Sequence, residues 1–280
     1  MNKVEELFNS YENIGQGGII VEIPMMGPIP QTQLRVAKLL VEAGIDVIQL
    51  TVPYRFPWMQ GARIQSLLKQ SAIDEVDYKD TFATFKLLRE KYPDQIFMPV
   101  GFYGGMRKMG EDNYISELKK LDIDIVDVPD YPLVHDQDPF GFYQKLRDND
   151  MAYVNCISTD QALVQKDTKE YDDFVEVVKK SYGFCFLIAT KGGKTGEVDE
   201  FPYEKLAMAR DAIKEVQAKY NRPCPIVAVC GISKPEQVYK MVHELKLHVM
   251  FGSALFTRLV NGDSDESILK FLKEMKAATL

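Results

Sequence analysis

Asp46-Val47-Ile48-Gln49-Leu50-Thr51-Val52-Pro53-Tyr54-Arg55-Phe56-Pro57-Trp58-Met59-Gln60-Gly61 is an apolar run that ends in a proline-bounded loop. Val47, Ile48, Leu50 and Val52 alternate little with polar residues, the pattern of a strand buried on both faces. Pro53 and Pro57 end the strand and stiffen the loop, because proline has no N–H for a ladder and a fixed φ. In α/β proteins the chemistry sits just past the carboxyl end of such strands. This loop has that place but carries no carboxylate.

Outward from this stretch the same unit recurs. Strands are predicted at Ile19 to Ile23, Ile96 to Val100, Asp124 to Val128, Ala152 to Ile157, Gly183 to Ala189, Pro225 to Val229 and His248 to Phe251. Helical sequence follows each: Gln31 to Ala43, Gly61 to Gln70, Asp80 to Lys91, Asn113 to Leu121, Pro139 to Asp148, Tyr171 to Ser181, Tyr203 to Tyr220, Pro235 to Leu245 and Ser264 to Lys276. Gly44 reads as a helix C-cap, and Thr159 or Asp160 as an N-cap. Gly101-Phe102-Tyr103-Gly104-Gly105 reads as a loop. Eight β-then-α units over 280 residues predict a single-domain α/β chain, residues 1–280, folded as a (β/α)8 TIM barrel. An extra N-terminal helix, Val4 to Tyr11, is expected to plug the barrel floor. An open doubly wound sheet is the runner-up.

Composition narrows the class. Apolar residues make up 46% of the chain, enough for a large core, and a net charge of −7 opposes a general nucleic-acid surface. No run reaches the length of a membrane span, and residues Met1 to Ser10 lack a signal-type apolar stretch, so a soluble cytoplasmic protein is expected. Cys156, Cys185, Cys224 and Cys230 form no C-x-x-C pair and read as free thiols. They share no ligand spacing with His135, His243 or His248, so no metal is expected, and no organic cofactor is implied.

Three glycine-bearing loops follow the last three strands: Gly192-Gly193-Lys194-Thr195-Gly196, Cys230-Gly231-Ile232-Ser233 and Gly252-Ser253-Ala254. Glycine lets backbone N–H groups approach a phosphate closely, and barrels place phosphate sites here. Ordinary tight turns are the alternative for any one of them. Gly193-Lys194-Thr195 is not a P-loop, since Ile188 stands where that motif needs its first glycine.

From about Gly18 to its end the chain resembles a tryptophan synthase alpha chain. The resemblance rests on Gln49 to Tyr54 through Gly61, on Val128-Pro129-Asp130-Tyr131-Pro132, on Thr190 to Gly196, on Gly231 to Val238 and on Gly252-Ser253-Ala254. It implies retro-aldol cleavage of indole-3-glycerol phosphate to indole and glyceraldehyde 3-phosphate, and a tryptophan synthase beta-like subunit as partner. It implies phosphate contacts at Gly192, Thr195, Gly196, Gly231, Ile232, Gly252 and Ser253; Lys191 adds charge beside that site, as a phosphate contact, a Schiff-base lysine or a solvated loop charge. Tyr103 corresponds to a pocket tyrosine and Asp130 to a loop aspartate. The family's two catalytic carboxylates fall on Gln49 and Gln60, whose amides exchange no proton at neutral pH. The pocket differs also at Arg55, Trp58 and Leu187, the last standing where the family often has a tyrosine.

Glu22 is the sharpest candidate for replacement chemistry. A carboxylate within an apolar strand is costly unless it is paired or belongs to a site. Facing the mouth, it would be an acid or base; facing a helix, a strand-end ion pair. Asp127 reads as structural. The first functional reading is a diverged lyase acting on a phosphate ester, with Glu22 as acid or base and Gln49 and Gln60 orienting substrate. The second is a non-catalytic, ligand-binding regulator of a beta-type partner, and a third is transfer to a phosphorylated acceptor.

Overall fold

The computed structural model describes residues 2–24, 31–53, 65–66, 78–131, 138–190 and 200–280. Eight parallel strands close into a barrel in sequence order: β1 (Ile19–Pro24), β2 (Val47–Thr51), β3 (Ile96–Val100), β4 (Ile125–Asp127), β5 (Ala152–Ser158), β6 (Cys185–Ile188), β7 (Ile226–Val229) and β8 (His248–Phe251). β8 returns to β1 with Ile20 opposite Met250, which completes the ring. The predicted (β/α)8 class is therefore the observed one.

Alternation along parallel strands sorts the side chains into two cores. Ile20, Val47, Met98, Ile125, Ala152, Val154, Phe184, Phe186, Val227 and Met250 pack inside the barrel. Residues of opposite parity, such as Val21, Ile48, Val126, Leu187 and Val249, pack outward under the helices. Both faces of each strand are buried, which is why β2 shows so little alternation in its sequence.

The N-terminal helix, Lys3–Asn13, closes the floor with Val4 and Phe8 inserted into the inner core. Phe8 stacks on His248 with ring centroids 4.3 Å apart. His248 Nδ1 accepts from the Gly18 backbone N–H at 2.7 Å, so its proton sits on Nε2, which faces Glu12 Oε1 at 3.2 Å. Asp46, at the entry to β2, gathers the same end. It accepts from the Tyr11 hydroxyl, the Ile19 backbone N–H and Lys276 Nζ, all at 2.7–2.8 Å.

Local departures have local causes. Gly104 and Gly105 do not form a loop but lie in the helix Tyr103–Met109. Tyr78 packs across this segment so closely that a β-carbon at Gly101 would come within 2.4 Å of its hydroxyl, and one at Gly105 within 2.5 Å of its ring. These glycines answer to packing, not to a turn. Ser158, not Thr159 or Asp160, caps the short helix Thr159–Ala162, in a reciprocal capping box with Gln161. Gly252-Ser253-Ala254 leads directly into an unforeseen helix, Ser253–Val260. Most of the predicted helix from Gly61 to Gln70 lies outside the described residues. No helix among the described residues is long and apolar enough to cross a membrane.

Candidate active site

The site is the next inward layer above the apolar barrel core. Two residues beyond Ile20, Val47, Ile125 and Val154 stand Glu22 on β1, Gln49 on β2, Asp127 on β4 and Cys156 on β5. Polar side chains thus replace aliphatic ones one layer below the C-terminal mouth.

Glu22 and Gln49 are register neighbours on adjacent strands, and both are almost fully buried. The Thr51 hydroxyl donates to Glu22 Oε1. Burial pushes the Glu22 carboxyl above the usual range, and the Thr51 hydrogen bond opposes that rise. Across β3, Gln49 Nε2 donates to Asp127 Oδ2 at 3.1 Å. Asp127 is pushed up to about 7, by burial first and by repulsion from Glu22 and Asp130, against the favourable bond from Gln49. Asp127 thus faces the mouth layer, where the sequence had suggested a structural aspartate. No short-range motif marks it, and only the shared parity with Ile125 could have pointed to it.

Glu22 also meets the expected phosphate end. Together with Cys230, Gly231, Ile232, Ser233, Gly252 and Ser253 it lines a small cavity between the ends of β7, β8 and β1. The approach is closest at Gly252, where a β-carbon would lie 2.8 Å from Glu22 Oε2 and 2.9 Å from Glu22 Cβ. Cys230 takes a left-handed backbone with φ 75°, and burial raises its thiol to about 12, so it is a neutral group. The Ser233 and Lys234 backbone N–H groups are already held by Gln237 Oε1, at 2.8 and 3.0 Å. Gly231, Ile232, Gly252 and Ser253 therefore sit together at the mouth, with Ser253 at the start of its helix.

Leu187, Tyr103 and Asp130 do not line this cavity. Leu187 packs in the outer core beneath the helices, because Phe186 takes the inward parity on β6; it does not line the pocket. The Tyr103 hydroxyl donates to Glu111, and its ring packs against Tyr131, Phe140 and Phe142. Asp130 Oδ1 accepts from the Tyr103 backbone N–H at 2.8 Å, and burial raises its carboxyl. Gln60, Arg55, Trp58, Lys191, Gly192, Thr195 and Gly196 lie outside the described residues.

A closed eight-stranded parallel barrel with buried carboxylates below its C-terminal mouth is a TIM barrel, a fold whose enzymes carry their sites at that face. A family model for the tryptophan synthase alpha chain matches residues 8–279. The chain belongs to the tryptophan synthase alpha chain family. It is 27% identical to the tryptophan synthase alpha chain of Sodalis glossinidius, over 100% of this chain and 99% of that one. It is also 27% identical to that of Arabidopsis thaliana, over 98% and 94%. Among solved structures it superposes on Mycobacterium tuberculosis tryptophan synthase with a TM-score of 0.81 at 18% identity, covering 99% of this chain and 98% of that one. Tryptophan synthase subunit alpha of Legionella pneumophila gives 0.79 at 15% identity, covering 100% and 98%.

Proposed function

We propose that this chain binds a phosphate ester at the mouth of its barrel and catalyses carbon–carbon lyase chemistry of the aldolase type, with Glu22 as the proton-transferring group. Its substrate is one other than, or besides, indole-3-glycerol phosphate. The observation that carries this reading is the position of Glu22: inward, buried, and lining one cavity with Gly231, Gly252 and Ser253. In retro-aldol cleavage a hydroxyl loses its proton, the adjacent carbon–carbon bond breaks, and the leaving carbon takes up a proton. A carboxyl raised by burial holds its proton more tightly than a solvated one and is a candidate to deliver it. Gln49 cannot, but it can orient a substrate by hydrogen bonding. In this reading Tyr103 and Asp130 are supporting groups at the mouth, and the resemblance assigns Gln60, Arg55 and Trp58, which lie outside the described residues, to the pocket. In this reading Gly231, Ile232, Gly252 and Ser253 bind the phosphate, and the resemblance assigns Lys191, Gly192, Thr195 and Gly196, outside the described residues, to the same role.

A second reading is favoured by Gln49 itself, an amide at a position where proton transfer is the family's need. In that reading the chain is a catalytically silent subunit whose ligand regulates a beta-type partner. Incubation of the purified protein with indole-3-glycerol phosphate, following indole release, tests both. Release that disappears in Glu22→Gln supports the lyase reading with the family substrate. Absence of release while glyceraldehyde 3-phosphate still binds leaves a different phosphate ester or the regulatory role, and release undiminished in Glu22→Gln removes Glu22 from the chemistry.

A further inference from the structure

Asp127 ends β4 with its side chain inside the barrel, where Oδ2 takes the Gln49 Nε2 hydrogen and Oδ1 is buried without a hydrogen-bond partner among the described residues. The titratable groups facing it are Glu22 from β1, Asp130 from the turn after β4, Tyr114 from the helix Glu111–Lys120, and Tyr153 and Cys156 from β5. None of these, among the described residues, is a cation. An ionised carboxylate only accepts hydrogen bonds, so it must hold the NH2 end of the Gln49 amide. The planar amide then turns Oε1 away from Asp127. A protonated Asp127 keeps one acceptor oxygen but gains an O–H; where that O–H is turned to Gln49 its partner is Oε1, and the amide turns over.

We propose that Asp127 is a positioning residue that sets, through the Gln49 amide, whether the barrel mouth meets its ligand with an acceptor or with a donor. With Asp127 ionised, Gln49 offers Oε1 and selects an N–H or O–H group. With Asp127 protonated, by a proton taken from solvent, it offers Nε2 and selects a carbonyl or oxyanion. Burial with no cation beside it among the described residues places that exchange at about pH 7. The inference rests on the mouth being the ligand site, but its test needs neither ligand nor turnover, so the two can fail separately.

The test is an NMR titration of the full-length, ligand-free protein, following the Gln49 side-chain amide, identified by its loss in Gln49→Met, and the Asp127 carboxyl carbon. Both signals are expected to share one midpoint near 7. The hydrogen-bond coupling from Gln49 Nε2–H to Asp127 is expected above that midpoint and not below it. In Asp127→Asn the Gln49 amide should no longer respond to pH. In Gln49→Met, which removes the bond favouring the charged form, the Asp127 midpoint should rise; this second variant serves if Asp127→Asn does not fold. A coupling that persists below the midpoint, a Gln49 amide that titrates unchanged in Asp127→Asn, or an Asp127 midpoint indifferent to Gln49→Met overturns the proposal.

Discussion

The Gly252 backbone passes so near the Glu22 carboxylate that a β-carbon at position 252 would stand 2.8 Å from Glu22 Oε2 and 2.9 Å from Glu22 Cβ. Rotating the carboxylate cannot relieve the second contact. Gly252→Ala must therefore displace β1 against β8, moving the acid–base candidate and the phosphate loop together. Binding of glyceraldehyde 3-phosphate, measured by calorimetry, is expected to weaken at least tenfold, about 1.4 kcal/mol. Unchanged binding would mean that the phosphate lies elsewhere.

Glu22→Gln keeps the size of the side chain and its neighbours but removes the exchangeable proton. Turnover of whichever phosphate ester proves to be the substrate should fall about 100-fold or more, the usual scale of general acid–base catalysis. Glyceraldehyde 3-phosphate affinity should change far less. A parallel loss of both in steady-state and binding measurements would assign Glu22 a structural role.

Asp127 makes stability depend on pH. Its folded-state pKa, about 7, lies above that of an unfolded aspartate, so the folded chain binds the proton more tightly. Stability is therefore highest below the unfolded pKa, falls as pH rises toward 7, and levels off above it. Asp127→Asn removes this penalty. Urea unfolding should show the variant gaining on the parent across that window, by on the order of a few kcal/mol above pH 7, with no gain at about pH 4. A constant difference at all pH values would show that Asp127 does not titrate in the folded barrel.

At the opposite end, Asp46 joins the N-terminal helix, β1 and the C-terminal helix Asp265–Ala277 through Tyr11, Ile19 and Lys276. Asp46 and Lys276 are both largely buried, so Asp46→Ala strands an ammonium group as well as losing the bonds from Tyr11, Ile19 and Lys276. A loss of about 3 kcal/mol is expected by urea unfolding. Phe8→Ala, which empties the floor plug, should cost about 3 kcal/mol or more by the same measurement. If Phe8→Ala is neutral, the N-terminal helix is not part of the cooperative unit.

Strand after strand was legible because parallel strands buried on both faces are written as short apolar runs, and helix after helix because caps and amphipathic spacing are local. Glu22 stood out for the same reason, as a charge inside such a run. The glycines at strand ends were legible as candidate phosphate loops, although Gly105 shows that a glycine can equally serve a packed tyrosine. Leu187 was misjudged because the parity of β6 is invisible when every residue in it is apolar: Phe186 and Leu187 look alike until the barrel closes.

The sequence by itself determined the alternation of β and α units, the floor helix, an amide rather than a carboxylate at position 49, and the strand that carries Glu22. These follow from residue type and short-range spacing. Only the tertiary structure decided which way Glu22 points, that Gly252 is its neighbour, and that Gln49 reaches Asp127 across β3. β1 meets β8 only by closure of the ring, and Gln49 and Asp127 are 78 residues apart. The pairs that shape the site come from opposite ends of the chain or from non-adjacent strands, and no local pattern encodes a contact that exists only once all eight strands have joined.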